Sequence, residues 1–242
     1  MIPKVIHYCW FGGNPLPESA QKCISSWRKF LPDYEIKEWN ESNFDVNIIP
    51  YTQKAYEARK YAYVSDYARF WILEKEGGVY FDTDVEVIKS FESILSKGGF
   101  LGYELPNMVN PGLGMAAPQG HRFLKTIINL YDGLDFINPD INPQCPNVVT
   151  HTTATLLDLG APIGNNQPCV FEGIYIYPID YFNPLNDLIG KLNLTPNTRS
   201  IHWYAKTWLK PRHPFVTWLS HMCHRLFGTT FTSRINKLIS RK

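Results

Sequence analysis

Polar and apolar positions alternate with two distinct periods along the first third of the chain. Val5 to Phe11 is a nearly unbroken apolar run after Pro3 and predicts a buried first strand. Gly12-Gly13-Asn14-Pro15 ends it as a loop. Between Ser19 and Phe30, Ala20, Cys23, Ile24 and Trp27 recur at helical spacing. Tyr34 to Trp39 returns to a two-residue period and predicts a strand. Tyr51 to Glu76 predicts helix in two pieces, with Ala62, Tyr63, Tyr67, Phe70, Trp71 and Leu73 on one face and Gly77-Gly78 as the stop. Val79-Tyr80-Phe81 is then a short buried strand that runs into Asp82-Thr83-Asp84. Further strands are predicted at 99–104, 113–117, 174–178 and 200–204, and helices at 121–131 and 147–159. This early alternation of strand and helix predicts an α/β fold with a mainly parallel central sheet. The second half, rich in Pro and Asn, reads as a more irregular, substrate-facing lid region.

A chain of 242 residues is long enough for one well-buried core. The expected organisation is a single catalytic domain over 1–209 and a basic amphipathic helical segment over 210–242. In that segment Phe215, Leu219, Met222, Leu226 and Phe227 recur at helical spacing after Pro214, with Trp218 alongside. The formal charge of +2 hides an asymmetry. No Asp or Glu follows Asp187, whereas Lys191, Arg199, Lys206, Lys210, Arg212, Arg225, Arg234, Lys237, Arg241 and Lys242 do. A stretch this basic points to a polyanionic partner such as anionic lipid, nucleic acid or phosphate. Two readings of the segment stand: it lies on an anionic membrane surface, or it packs its apolar face on the core. The aromatic share of 14% likewise fits either ring stacking on a ligand or an aromatic core.

The five cysteines are odd in number and show no C-x-x-C spacing, which argues against a disulfide framework and a zinc ribbon. There is no leader pattern at the N-terminus and no run of about 18 apolar residues. The expected location is therefore cytoplasmic, with peripheral contact on the inner face of the membrane as an option.

The chemistry concentrates at Gly77-Gly78-Val79-Tyr80-Phe81-Asp82-Thr83-Asp84. Two carboxylates one residue apart, at the end of an apolar strand, share a side of an extended chain and repel unless a cation sits between them. Hard oxygen ligands suit Mg²⁺ or Mn²⁺, and such an ion neutralises charge on a departing diphosphate. In open α/β sheets, ligands bind at the carboxyl ends of strands. On the preceding helix, Asp66 and Arg69 lie three apart beside apolar Ala62 and Leu73. Alone they read as an intrahelical salt bridge; near the aspartates they read as a clamp, with Arg for phosphate and Asp for sugar hydroxyls. His7 reads as a satisfied core residue and His151 as structural.

The stretches Tyr63-Val64-Ser65-Asp66-Tyr67-Ala68-Arg69 and Gly77 to Asp84 resemble the DXD sugar-binding region of the glycosyltransferase 32 family, which includes bacterial capsular polysaccharide and fungal mannosyl transferases. The same signature resembles the catalytic domain of the large clostridial glucosylating toxins. Ile2 to Gly13 resembles the family's opening strand. The resemblance covers roughly residues 1 to 120 and is patchy beyond. It implies a GT-A-like fold, transfer of a hexose from a nucleotide-sugar with retention, and a place in polysaccharide or capsule biosynthesis. It implies that Trp10 stacks on the base, Asp66 and Arg69 hold donor sugar and phosphate, Tyr80 lines the donor pocket, Asp82 contacts ribose and sugar, and Asp84 ligates the metal. Near the end, His202-Trp203-Tyr204-Ala205-Lys206-Thr207-Trp208 also resembles the family, with Thr207 where a Ser is expected before the last Trp, Trp208. His202 is either a third metal ligand or a buried structural residue. Asn110 either contacts a sugar hydroxyl or belongs to an ordinary loop.

The implied donor is a UDP-sugar, with GDP-mannose as the alternative; the implied acceptor is a glycan or a lipid-linked glycan, and no nucleic acid is involved. Two rivals are a phosphatase of the haloacid-dehalogenase type and a non-catalytic, Ca²⁺-using carbohydrate-binding module. The first expects Thr or Val where Glu86 stands, plus a downstream acidic pair that is missing here. The second does not require Trp10, Asp66, Arg69 and D-x-D together.

Overall fold

The apolar run at the N-terminus becomes β1 (Val5–Cys9), a strand buried on both faces, which is why its hydrophobicity does not alternate. This computed structural model describes residues 2–142, 144–205, 218, 220–222, 224 and 225. β1 pairs in parallel with β2 (Glu35–Trp39) on one side and β3 (Gly78–Tyr80) on the other. The crossovers are α1 (Glu18–Phe30), then α2 (Pro50–Glu57) with α3 (Tyr61–Glu76). The helix predicted over 51–76 is thus in two pieces, broken where Arg59 takes a φ of 57°. Gly77 ends α3 with φ 65° and donates its N–H to Leu73 O, as a helix stop requires.

After β3 come β4 (Val85–Val87), α4 (Glu92–Leu95), β5 (Gly99–Leu105) and β6 (Met108–Val109). A 3₁₀ turn (Pro111–Leu113) leads into β7 (Met115–Ala117), followed by α5 (Arg122–Asp132) and α6 (Val148–Asp158). The chain continues through β8 (Cys169–Phe171), β9 (Ile174–Tyr177), α7 (Ile179–Phe182), β10 (Leu185–Asn186), β11 (Lys191–Leu192) and β12 (Ser200–His202).

Among the described residues the main sheet is ordered β2-β1-β3-β7-β5-β9-β8, with β6 on β5. β1, β2, β3, β5 and β9 run one way; β7 is reversed between β3 and β5, and β8 and β6 are also reversed. The α/β fold with a mainly parallel sheet is therefore present, with one antiparallel strand set in its middle. Alternate residues feed two cores. Tyr80, Leu101, Met115 and Ala117 face a cluster with Phe70, Phe123 and Tyr131; Ile6, Val79, Phe100 and Ala116 face one with Trp27, Phe91 and Phe182. No helix among the described residues is long and apolar enough to cross a membrane. Most of the segment over 210–242 lies outside the described residues; Trp218, Ser220, His221, Met222, His224 and Arg225 are helical.

Candidate active site

Beyond β3, Phe81 still donates its N–H to His7 O (3.1 Å), and then the ladder ends. Val85 N–H donates to Asp82 O at 3.0 Å, closing a turn over Asp82–Val85. The carboxylates of Asp82 and Asp84 converge because the chain turns, not because an extended strand places alternate residues on one side. This corrects the pleat argument and keeps its outcome. β12 pairs antiparallel with β4, opposing His202 to Val85. Ligand-type atoms of Asp82, Asp84 and His202 thereby lie within 4.8 Å of one another.

Each carboxylate is held from behind. Asp82 Oδ1 accepts from Tyr80 OH (3.0 Å) and lies 3.2 Å from Arg69 Nη2. The same Nη2 is 3.0 Å from Asp66 Oδ1, while Arg69 Nε donates to Ser65 O at 3.1 Å. The guanidinium lies over the Tyr80 ring, 5.0 Å from its centre. Both members of the Asp66–Arg69 pair are buried on α3. The helix ion pair thus exists and is also part of the aspartate site. Asp84 Oδ1 faces His202 Nε2 at 3.2 Å, and its Oδ2 accepts from Ala205 N–H at 2.8 Å.

Burial raises the carboxyls of Asp66 and Asp82, and Arg69 pulls both back; Asp84 pushes Asp82 further up. Burial works against the Arg69 charge, yet Asp82, Tyr80 and Asp66 outweigh it and keep the guanidinium firmly protonated. Burial also works against the Asp84 charge, but His202 and the Ala205 N–H hold this carboxyl below its usual range. The same ion pair raises His202 against its own burial.

The remaining predicted residues fall at different distances from this centre. Trp10, half-buried at the end of β1, donates Nε1–H to Asn14 O (2.6 Å). Tyr80 is fully buried behind Asp82, with its OH on that carboxylate. Asn110 Oδ1 accepts from Gly112 N–H (2.6 Å), capping the 3₁₀ turn. Thr207 and Trp208 lie outside the described residues. His7 is a satisfied core residue: Nε2 bonds Gly77 O (3.0 Å) and Nδ1 accepts from Trp39 Nε1–H (3.1 Å). His151 packs on the Tyr131 ring, with centres 5.5 Å apart.

Two further residues touch the site through contacts that the sequence does not show. Gly112 lies against the site so closely that a Cβ there would sit 2.4 Å from Asp82 Oδ2 and 3.3 Å from Arg69 Nη1. The Asn-Pro-Gly turn was visible, but not what it touches. Tyr204, at φ 51°, packs its ring 4.2 Å from that of His202 and donates its OH to Asn183 Oδ1 (3.0 Å) and Glu104 Oε1 (3.2 Å).

Two carboxylates and an imidazole form a donor set suited to Mn²⁺ or Mg²⁺. The fit has a second support: His202 Nδ1 is buried without a hydrogen-bond partner among the described residues, so the ring has a nitrogen to spare whichever one a ligand takes.

Residues 17–101 match the family described as the glycosyltransferase sugar-binding region containing the DXD motif. That span holds Asp66, Arg69, Tyr80, Asp82 and Asp84. Among curated relatives, inositol phosphoceramide mannosyltransferase 3 of Schizosaccharomyces pombe is 28% identical over 131 residues, covering 52% of this chain and 36% of its own length. An uncharacterised glycosyltransferase of Acanthamoeba polyphaga mimivirus is 26% identical over 201 residues, covering 77% of each chain. The chain thus spans about a third of the fission-yeast relative. Among solved structures, the PaToxG glycosyltransferase is similar at 19% identity and a TM-score of 0.49, over 66% of this chain and 70% of that one. Residues 17–101 thus carry the pattern of the DXD sugar-binding region, and over that stretch the chain is similar to glycosyltransferases.

Proposed function

We propose that this protein transfers a hexose from a nucleotide-sugar to a glycan or a lipid-linked glycan, with retention, using a divalent cation held by Asp82, Asp84 and His202. The observation that carries the reading is the convergence of these three side chains from a turn and a distant strand, within 4.8 Å. Mn²⁺ or Mg²⁺ bound there supplies Lewis-acid neutralisation of charge on the departing nucleoside diphosphate. The chain's own residues do the rest. Arg69, kept charged by its two carboxylates, fixes Asp82 and offers positive charge toward the phosphates. Asp66 and Asp82 orient sugar hydroxyls, Trp10 stacks on the base, and Tyr80 holds the Asp82 carboxylate in place. Residues 1–209 carry this chemistry and 210–242 form a basic adjunct.

A UDP-hexose is the default donor. Similarity to the fission-yeast inositol phosphoceramide mannosyltransferases 3 and 1 favours a second reading with a mannosyl donor and a lipid acceptor. A lipid acceptor also suits a protein working at the cytoplasmic face of a membrane in polysaccharide or capsule synthesis.

The test is nucleotide release from a panel of UDP- and GDP-sugars, with Mn²⁺ and with EDTA, for the native protein and Asp84→Asn. The expected result is release from one donor class, abolished by EDTA, restored by Mn²⁺, and lost in the variant while its melting temperature stays near wild type. Full turnover in EDTA would sink the metal mechanism. Hydrolysis of simple phosphate esters, with no nucleotide-sugar turnover, would favour the phosphatase rival.

A further inference from the structure

Between α7 and β12 the chain forms the hairpin β10–β11, pairing Leu185 with Leu192 and Asn186 with Lys191. Its apolar side chains point outward: Leu188 at the tip is 52% exposed, and Leu194 just beyond it is 54% exposed. With Leu192, 39% exposed, three leucines on or just after one short hairpin face solvent, and exposed apolar side chains grouped in this way mark interaction surfaces. The hairpin is nevertheless held in place. Arg225 donates Nε–H to Ile189 O (2.8 Å) and an Nη2 hydrogen to Gly190 O (3.1 Å). His224 Nδ1 bonds Leu188 O at 2.9 Å. The His221 ring packs so closely on the hairpin backbone that a Cβ on Gly190 would lie 2.4 Å from His221 Nδ1. The hairpin tip and His221, His224 and Arg225 therefore form one unit. An open cleft of about 640 Å³ is lined by both parts, with Lys191, Leu192 and Arg225 among its walls.

The charge around this unit identifies what covers it. Asp187 is the last acid in the chain, and every ionisable residue after it that carries charge at neutral pH is Lys or Arg. The unit also borders the candidate active site. Asn183, two residues before β10, accepts from Tyr204, whose ring packs on His202. Exposed leucines with Lys191 and Arg225 beside them, next to a site read above as taking a lipid-linked acceptor, match the interfacial zone of an anionic bilayer.

We propose that the β10–β11 hairpin, with His221, His224 and Arg225 seated against it, is a docking surface for an anionic lipid bilayer; this rests on the lipid-linked acceptor reading above. Leu188, Leu192 and Leu194 enter the acyl boundary, and Lys191 with Arg225 meets the lipid phosphates. Docking in this orientation holds the His202 side of the site at the membrane, where a lipid-borne acceptor lies.

The test is co-sedimentation of the full chain with vesicles of phosphatidylglycerol and, separately, of phosphatidylcholine. The wild type is expected to sediment with the first at low salt, to be released as salt rises, and to ignore the second. The double variant Leu188→Asp/Leu194→Asp should lose affinity by about tenfold or more. Lys191→Glu should weaken binding and flatten its salt dependence. Nucleotide release from the soluble donor should stay within about twofold of wild type in each, since none of these residues lies at the aspartates. Leu188→Asp alone serves if the double variant melts early. Wild-type sedimentation by all these variants would overturn the proposal, as would a wild type that binds neither vesicle. Conversion of a dimer to a monomer with vesicle binding intact would also overturn it, assigning the face to a second copy. A wild type that sediments but turns over no donor would refute the transfer reading and leave the docking surface standing.

Discussion

Arg69 shows how much one side chain can connect. It sits on a helix, yet its guanidinium bonds a carbonyl of its own helix, pairs with Asp66 and reaches Asp82 beyond β3. Arg69→Lys keeps the charge but replaces a planar fork with a single ammonium that cannot keep all three partners. The expected outcome is a fall in kcat/KM of about 100-fold or more, equivalent to roughly 3 kcal/mol of transition-state stabilisation. Near-native kinetics would reduce Arg69 to a structural ion pair. Gly112 makes the opposite case, since it contributes by having no side chain. A methyl group there would stand 2.4 Å from Asp82 Oδ2, so the carboxylate must move. Gly112→Ala is therefore expected to weaken Mn²⁺ and donor binding by about tenfold, because a displacement near 1 Å in a preorganised site is costly. A titration of Mn²⁺-dependent nucleotide release measures it, and an unchanged Mn²⁺ requirement would show that the turn yields instead.

At the scale of elements, β1 ties α3 and β2 together through a neutral histidine. His7 bonds Gly77 O at the end of α3 and accepts from Trp39 at the end of β2. Burial lowers its pKa to about 4, with the Gly77 hydrogen bond opposing the shift. The unfolded chain protonates His7 near 6.5, so between pH 6.5 and 4 the unfolded state binds the extra proton and stability falls as pH falls. The contribution is on the order of 3 kcal/mol at its lower end. His7→Gln, which can still donate to one partner and accept from the other, should flatten the dependence of the melting temperature on pH across that window. An equal slope in the variant would place the acid sensitivity elsewhere. The elements that hydrophobic period missed were β4, β6, β8, β10, β11, α4 and α7, each two to four residues long. Periodicity needs several repeats to register, so elements this short are defined by their partners.

At the scale of the whole molecule, donor and metal are expected to report on the fold itself. A ligand that binds only the folded state, at about 100 times its Kd, adds about 2.7 kcal/mol. For a chain of this length that raises the melting temperature by roughly 5–10 °C. Thermal shift with Mn²⁺ and each nucleotide-sugar therefore ranks the donors. A flat response across UDP- and GDP-sugars would remove the nucleotide-sugar reading.

The strand–helix alternation, the break in the helix over 51–76, the glycine stop before β3 and the Asp82–Asp84 pair were all legible in the sequence. Each depends on local physics: side-chain period, left-handed backbone, and an apolar strand that runs into charge. The reversed β7, the hairpin under Arg225 and the arrival of His202 at Asp84 were decided by tertiary structure, because they join segments far apart in the chain. The same holds for the buried Arg69. Residue spacing placed it beside Asp66, but only the packing of α3 against β3 could bring it to Asp82 and shield both pairs from water.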